Sequence, residues 1–583
     1  MPLVDVHELA ADLGVKHTDL LANARAVRAH VSSAGGAQFI DSRHIPRLRG
    51  AIAFGPAVSK KQAKARADAV AEAVTVNVRA RGQKPATAVL HLGPTNSGKT
   101  YDALHRLAGS RTGTYAAPLR MLAREAYQKL VALVGADGVG LITGEESISP
   151  DAPIICCTVE MAPMAGDTLV VDEAHWAADP DRGYAWTRLL LGGDYDLIEV
   201  AANRGAEPFL RAVLADVDNL TVQYHDRLAP LHYAGQTSIS DIPDRSLLVA
   251  FSRRAVLELA GTLTRHGRRV GVLYGALPPE TRAAQIDAFI DGHLDVMVTT
   301  DVIGHGINVP AEHVIFAETT KFDGNQVRPL LTWEAAQIAG RAGRYGLTSG
   351  GTVRALRPSG GYGADKRVVR DGTEAAAGRA SDGLHVTEGK LRPTFADLGS
   401  PEPGDLGRAI AAWGERATEL LAHRPGVEPL PVNALVTRYE QACRLAKLPI
   451  EHGFSRGWNV DGVTLWQAVA VPVNTESPAY RVLIDALTAG QGAAARSGAD
   501  LLTEVRTLAS GSLEDAEQAA ATSRDLMMLA RSFPDLLSFL WDDAAELERT
   551  ASQAITKRLG RKLRPAKRRS TRKAASSTPT PRT

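Results

Sequence analysis

The sequence is poor in cysteine, in aromatic residues and in long apolar runs. Only three cysteines, Cys156, Cys157 and Cys443, stand among its 583 residues. Two of them are neighbours, so they offer neither a disulfide framework nor metal-ligand spacing. No apolar run approaches the ~20 residues of a membrane span, and no membrane partner is expected. The first residues lack an apolar signal core, and Asp5, Glu8, Asp12 and Asp19 are acids that a transit peptide avoids. Alanine is abundant and arginine outnumbers lysine, as in products of GC-rich genomes. Together these features lead to the expectation of a bacterial cytoplasmic protein.

Charge is plentiful but unevenly placed. Eleven Lys and Arg residues and no acid lie from Lys557 to the end, leaving 56 basic residues against 65 acidic ones before it. A basic tail on a mildly acidic body is an electrostatic arm for a polyanion. The length exceeds what one core can support, so several domains are expected.

Pattern along the chain divides it into five. Residues 1–85 read as a helical domain. "VHELAADLGVKHTDLL" has the small-residue and turn spacing of a helix-turn-helix, but its second helix is not basic, which favours a small helical adaptor. Residues 86–228 and 229–390 each alternate short apolar strands with helical patterns, the mark of parallel sheets packed between helices. Residues 391–559 are helical in pattern, and 560–583 form the basic, then Ser/Thr/Pro-rich end, expected to be disordered.

Chemistry concentrates in four motifs. "GPTNSGKT", Gly93–Thr100, follows an apolar strand and opens a helix. It fits the phosphate-binding P-loop, in which Gly93, Pro94, Thr95, Asn96, Ser97 and Gly98 curl the backbone around phosphates. Lys99 neutralises their charge and Thr100 ligates Mg²⁺. "TLVVDEAH" ends a strand on Asp172 and Glu173. Beside a P-loop, Asp172 would share the metal with Thr100, and Glu173 would polarise the attacking water. "QIAGRAGR" offers Gln337, Arg341 and Arg344. If helical, it sets both arginines on one face, suited to reading phosphate oxygens. "TTDVIGHGINVP" ends a strand at Thr299 and Thr300 before two glycines.

In their chain order, P-loop, DEAH, TTDVIGHGIN and then QIAGRAGR, the four motifs resemble a superfamily-two DExH helicase. "APLRMLARE", "CTVEMAP", "DEAHWAADPDRGYAWTRLLLG", "LYGALPPETR", "ETTKFDG" and "LRPTF" are similar to one branch, the RNA helicase subunit of the mitochondrial degradosome and its bacterial relatives. The resemblance implies two tandem RecA-like domains flanked by helical domains, with ATP and Mg²⁺ as cofactors. It implies an ATPase that moves three-prime to five-prime on single-stranded RNA and unwinds duplexes, in RNA turnover. Lys99, Asp172, Glu173, Gln337, Arg341 and Arg344 would be its catalytic set. Arg120, Thr158, Glu160, Thr299 and Thr300 match motifs that line the nucleic-acid path. His175 gives the common DExH form, whereas "VAANRGAEP" from Val200 lacks the Ser-Ala-Thr of the coupling motif. A DNA translocase on the same motor, and an ATP-gated RNA clamp that recruits an exoribonuclease, stay open as alternatives.

Overall fold

A computed structural model describes residues 3–13, 15–26, 29–45, 48, 60–76, 87–144, 146–302, 309, 311–324, 326–343, 350–451, 454–455 and 457–563. The basic tail beyond residue 563 and Arg344 therefore lie outside the described residues. The chain forms two units. Unit 1 holds the residues up to Arg227 together with Gly383–Ala554, and unit 2 holds Leu228–Asp382 and the residues from Ile555 on.

Unit 1 begins with β1 (Leu3–Asp5), the helices Val6–Asp12 and His17–Ala26, and the hairpin β2 (Val31–Ala34) and β3 (Ala37–Asp41). The strands pair antiparallel in the order β1-β3-β2. The N-terminal region expected to be helical thus carries a small antiparallel sheet beside its helices. Gly35 and Gly36, with φ of 60° and 83°, form the two-residue turn that a tight hairpin needs. The helices close over this sheet through a separate core of Val6, Leu9, Leu20, Ala24 and Ile40.

The main sheet of unit 1 contains β4 (Thr87–Leu92), β5 (Gly113–Ala117), β6 (Val139–Ile142), β7 (Ser147–Ile148), β8 (Ile154–Thr158), β9 (Ala165–Val171), β10 (Asp194–Ala202) and β11 (Asn219–Tyr224). Its order is β11-β4-β10-β9-β5-β8-β6-β7, parallel except for β7. The central strands are buried almost throughout, which explains their continuous apolar runs, since a parallel strand is covered on both faces. Leu104, Leu107, Tyr115, Leu130, Cys156 and Val170 build the core on one side. The buried thiols of Cys156 and Cys157 are pushed well up by burial, Cys156 to about 12, so both behave as small apolar residues.

The C-terminal part of unit 1 is helical, with Leu406–Leu421, Asn433–Leu445, Pro478–Ala489, Gln491–Ser510 and Leu513–Ser532 its main helices. It returns to the main-sheet part of the unit at several places, the Gly205–Phe209 stretch and Thr143 among them. Val386 donates to the Gly205 carbonyl and accepts from Phe209, and a Cβ on Gly205 would stand 1.9 Å from the Leu384 carbonyl oxygen. Arg531 donates to the Thr143 carbonyl at 2.7 Å.

Unit 2 is built on β12 (Leu231–Thr237), β13 (Ser246–Val249), β14 (Val270–Leu273), β15 (Val296–Thr299), β16 (His313–Phe316) and β19 (Gly351–Leu356), with β17 (Thr320–Phe322) and β18 (Val327–Pro329) as a separate hairpin. The six strands are all parallel in the order β12-β19-β16-β13-β15-β14. Two α/β blocks, each around a parallel sheet, are thus present, as the strand-helix alternation predicts.

Candidate nucleotide site and nucleic-acid loops

β4 delivers the chain into Gly93 at the edge of the sheet, where the Gly93 N–H donates to the Ala202 carbonyl at 3.1 Å. A Cβ on Gly93 would lie 2.6 Å from the His225 carbonyl oxygen and 2.9 Å from Ser97 Oγ, so only glycine fits. Asn96 and Gly98 take φ of 63° and 78°, the left-handed turns that curl the loop. Arg227 donates to the Thr95 carbonyl at 2.9 Å and fastens the outer side of the loop. Gly98 then caps the helix Lys99–Ala108 without any side-chain hydrogen bond. The helix N-terminus therefore keeps its positive dipole end available to an anion.

The buried Lys99 ammonium donates to the Gly93 carbonyl at 3.4 Å and lies 3.6 Å from Glu173 Oε2. Thr100 Oγ1 donates to Asp172 Oδ1 at 3.4 Å. Ser97 Oγ is buried with no hydrogen-bond partner among the described residues. An orphaned hydroxyl in a glycine-walled cradle fits a phosphate oxygen. A hydroxyl beside a carboxylate is a hard oxygen pair of the kind that holds Mg²⁺ together with substrate phosphates.

Asp172 is itself strained electrostatically. Burial, and then the neighbouring Glu173, push its carboxyl up to about 6, against the pull of Lys99 and of a hydrogen bond from the Tyr115 hydroxyl. Glu173 follows at φ 49°, a left-handed conformation uncommon for a residue with a side chain. His175 Nδ1 sits 3.3 Å from Glu173 Oε2.

Behind the loop lies a polar cluster that motif reading missed. His91 on β4 pairs through Nε2 with Glu199 on β10 at 2.5 Å, both fully buried, and through Nδ1 with His225 at 3.0 Å. Arg106, on the P-loop helix, reaches Glu199 Oε1 at 2.8 Å. Burial and the adjacent His91 lower the pKa of His225. A histidine and a glutamate within apolar strands were the available signal, because buried charges are retained only when paired.

The expected nucleic-acid residues of unit 1 sit on two loops. Arg120 opens the helix Arg120–Val134 and packs on Gly144, whose Cβ would lie 3.1 Å from the guanidinium. Thr158 ends β8, and Glu160 follows in a short turn of helix, where Arg182 donates to its carboxylate at 2.7 Å. Near Val200 the chain continues through β10 into Asn203, which caps Gly205.

In unit 2, Thr299 ends β15 with its hydroxyl on the Thr300 carbonyl at 3.0 Å, and the Thr300 N–H donates to Leu273 at 3.0 Å. Gln337 lies in the helix Thr332–Ala339 and lines a small cleft with Phe251, Asp301, Lys321 and Trp333. The helix stops at Ala339, so the condition of the helical-face argument is not met at Arg341, while Arg344 lies outside the described residues. Arg341 belongs to a turn, its N–H on the Ile338 carbonyl, and Gly343 at φ 69° passes so close to Gly351 that a Cβ would be 2.3 Å from its nitrogen.

Residues 76–225 match the family model for the DEXQ-box helicase domain of Suv3, and residues 235–346 match the helicase conserved C-terminal domain. The motor of this chain resembles that of Suv3. The mitochondrial ATP-dependent RNA helicase SUV3 of Candida albicans is 39% identical over 287 residues, 46% of this chain and 39% of that protein. SUV3 of Oryza sativa subsp. japonica is 42% identical over 274 residues, 45% of this chain and 47% of its own length. The mitochondrial DExH16 helicase of Arabidopsis thaliana is 39% identical over 273 residues, again 45% and 47%. The chain thus spans less than half the length of these curated relatives. Yeast Dbp5 bound to RNA and ADP BeF3 aligns at a TM-score of 0.39 and 16% identity, covering 64% of this chain and 94% of that one.

These matches support two superfamily-two helicase domains, the first of the Suv3 type, over residues 76–225 and 235–346. They also overturn the bacterial cytoplasmic expectation, since the matched relatives are mitochondrial proteins of yeasts, plants and a fly. Alanine and arginine usage reflects the base composition of a genome and carries no address, which is why it misled. No helix among the described residues is long and apolar enough to cross a membrane.

Proposed function

We propose that the chain is an ATP-dependent RNA helicase that translocates on single-stranded RNA and separates duplexes. The observation that carries this reading is the convergence of Lys99, Thr100, Asp172 and Glu173 within 3.4–3.6 Å at the mouth of a Suv3-type domain. The Gly93–Gly98 amides and Lys99 hold the ATP phosphates. Glu173 orients the attacking water and accepts its proton, and His175 fixes the Glu173 carboxylate. Thr100 and Asp172 would hold Mg²⁺, which supplies charge neutralisation at the β- and γ-phosphates when bound. By motif, Gln337, Arg341 and Arg344 are the proposed γ-phosphate sensors. Arg120, Thr158, Thr299 and Thr300 are proposed to line the RNA path, through sugar and phosphate and hence with weak sequence preference. RNA turnover, with an exoribonuclease as partner, is the proposed setting.

The test is ATPase stimulation and strand displacement with matched RNA and DNA duplexes carrying opposite overhangs. Displacement of the RNA duplex with a three-prime overhang is expected. Stimulation by DNA alone would sink the RNA reading, and stimulation without displacement would favour an ATP-gated clamp.

A further inference from the structure

Arg182 and Trp186 take no part in the nucleotide site, yet both touch elements that matter to it. The main-chain carbonyl of Asp172 accepts the indole N–H of Trp186 at 3.1 Å, deep in unit 1. The Arg182 guanidinium, one helical turn earlier, lies over the Trp186 ring, 5.6 Å from its centre. That guanidinium donates through Nη2 to the Pro118 carbonyl at 2.7 Å and through Nε to Glu160 Oε1 at 2.7 Å. Pro118 belongs to the loop that leads to Arg120, and Glu160 to the loop that follows Thr158. Four contacts therefore run from the backbone of Asp172 to both nucleic-acid loops of the same unit.

The segment between them is held firmly. Asp179 Oδ1 accepts the N–H groups of Asp181 at 2.9 Å and Arg182 at 2.8 Å. Gly183 donates to the Asp179 carbonyl at 3.0 Å. A Cβ on Gly183 would stand 2.1 Å from the Ala177 carbonyl oxygen, so the turn closes only around glycine. The start of the helix Gly183–Gly192 is thereby fixed to the Asp172–Ala178 stretch. Direct contacts thus join the Asp172 backbone, Trp186, Arg182, the Pro118 carbonyl and the Glu160 carboxylate. The planar guanidinium serves a carbonyl, a carboxylate and a ring face at once, which a lysine ammonium cannot.

We propose that Trp186 and Arg182 form a relay inside unit 1 that couples the nucleotide site to the loops bearing Arg120, Thr158 and Glu160, with Arg182 as a positioning residue. The relay rests on the helicase reading above. It also reassigns Glu160, which acts through its Arg182 pair to shape the loop and is not a direct RNA contact. A carboxylate facing phosphates would in any case repel them.

The experiment compares wild type, Trp186→Phe, Arg182→Lys and Arg182→Ala by ATPase rate with and without a polyuridine oligonucleotide. RNA affinity is measured with ADP and with a non-hydrolysable ATP analogue. Trp186→Phe keeps an aromatic ring under Arg182 but removes the indole N–H and part of a fully buried ring, so its denaturation midpoint is measured alongside to separate signalling from folding. Coupling through such contacts is established only by measured coupling, and changes of roughly two- to thirtyfold are the usual size. Basal hydrolysis should stay near the wild-type rate in Trp186→Phe, while RNA stimulation and the nucleotide dependence of RNA affinity fall by a factor in that range. Arg182→Lys should fall between wild type and Arg182→Ala. A Trp186→Phe protein with wild-type stimulation and wild-type nucleotide dependence overturns the relay. So does an equal loss of RNA affinity in both nucleotide states, which marks a structural prop. A wild type that RNA does not stimulate overturns the helicase reading itself.

Discussion

The Tyr115 hydroxyl donates to Asp172 Oδ2 across 2.6 Å in the interior of unit 1. It comes from β5, beside β9 in the sheet, and gives a buried carboxylate one of its few hydrogen bonds. Burial and Glu173 nonetheless keep the Asp172 carboxyl up at about 6, with the Tyr115 contact opposing them.

The pH profile follows. Hydrolysis that needs ionised Asp172 should rise through about pH 6 in kcat/KM, which reports the free enzyme. Tyr115→Phe removes a donor that favours the charged form. A hydrogen bond to a charged group contributes about 1.5–3 kcal/mol, so the acid limb should move up by roughly one to two pH units. An unmoved limb in Tyr115→Phe would exclude Asp172 as the group that titrates.

The same carboxyl sets activity against stability. Its folded pKa is raised, so the stability it contributes is fully present below its ordinary value near 3.8 and is lost as pH rises through about 6. Asp172→Asn stays neutral at every pH, and its amide can donate back to the Tyr115 oxygen. At pH 7.5 it should gain roughly 1–3 kcal/mol in denaturant unfolding and lose ATP turnover altogether. Lys99→Ala should likewise abolish turnover, measured as phosphate release.

Glu334 shows the opposite sign. Burial alone would raise its pKa, but hydrogen bonds from Arg328 and Lys321 and from the Leu331 N–H outweigh burial and hold it at about 2. Its stabilisation is present above its ordinary value near 4.5 and is lost as pH falls toward 2. Glu334→Gln removes the carboxylate that Arg328 and Lys321 share and leaves them Asp323 at 3.1 Å and Asp301 at 3.4 Å, so the loss is that of hydrogen bonds to a charged group, about 1.5–3 kcal/mol. Chemical denaturation at pH 7 and pH 3 should show a large penalty at the first and a much smaller one at the second.

Gly183 is a steric prediction. A methyl group there meets the Ala177 carbonyl at 2.1 Å, and backbone cannot give way as a side chain does. Gly183→Ala should destabilise by about 1–3 kcal/mol or more, read from its denaturation midpoint. Gly275→Ala, with nothing within 4 Å of the added carbon, is the matched control and should change little.

The legible parts of the fold and site are those whose information is local. Gly93, Gly98 and Lys99 lie within one loop, and their spacing alone imposes a cradle. Asp172 and Glu173 stand together at the end of one apolar strand. Parallel sheets announce themselves because strands covered on both faces must be apolar throughout. The N-terminal sheet was missed because its strands have only three to five residues, too short to show alternation, although Gly35–Gly36 marks their turn. Tyr115 meets Asp172 from 57 positions away, and Arg182 meets Pro118 from 64, and no spacing rule reaches that far. The helix before Arg341 ends early because Gly340 and Gly343 favour a turn over a further helical step.

Unit 1 is not a continuous stretch of chain, and this sets an order of events during synthesis. The ribosome completes β11 at Tyr224 and then makes Leu228–Asp382 of unit 2 before it reaches Leu384 and Val386. Until then the Gly205 carbonyl and the Phe209 N–H have no partner from the returning segment. Unit 1 therefore waits, with that flank uncovered, while Leu228–Asp382 is made, a window in which unfinished surfaces misassociate. A fragment cut near Arg227 would freeze the protein at that stage.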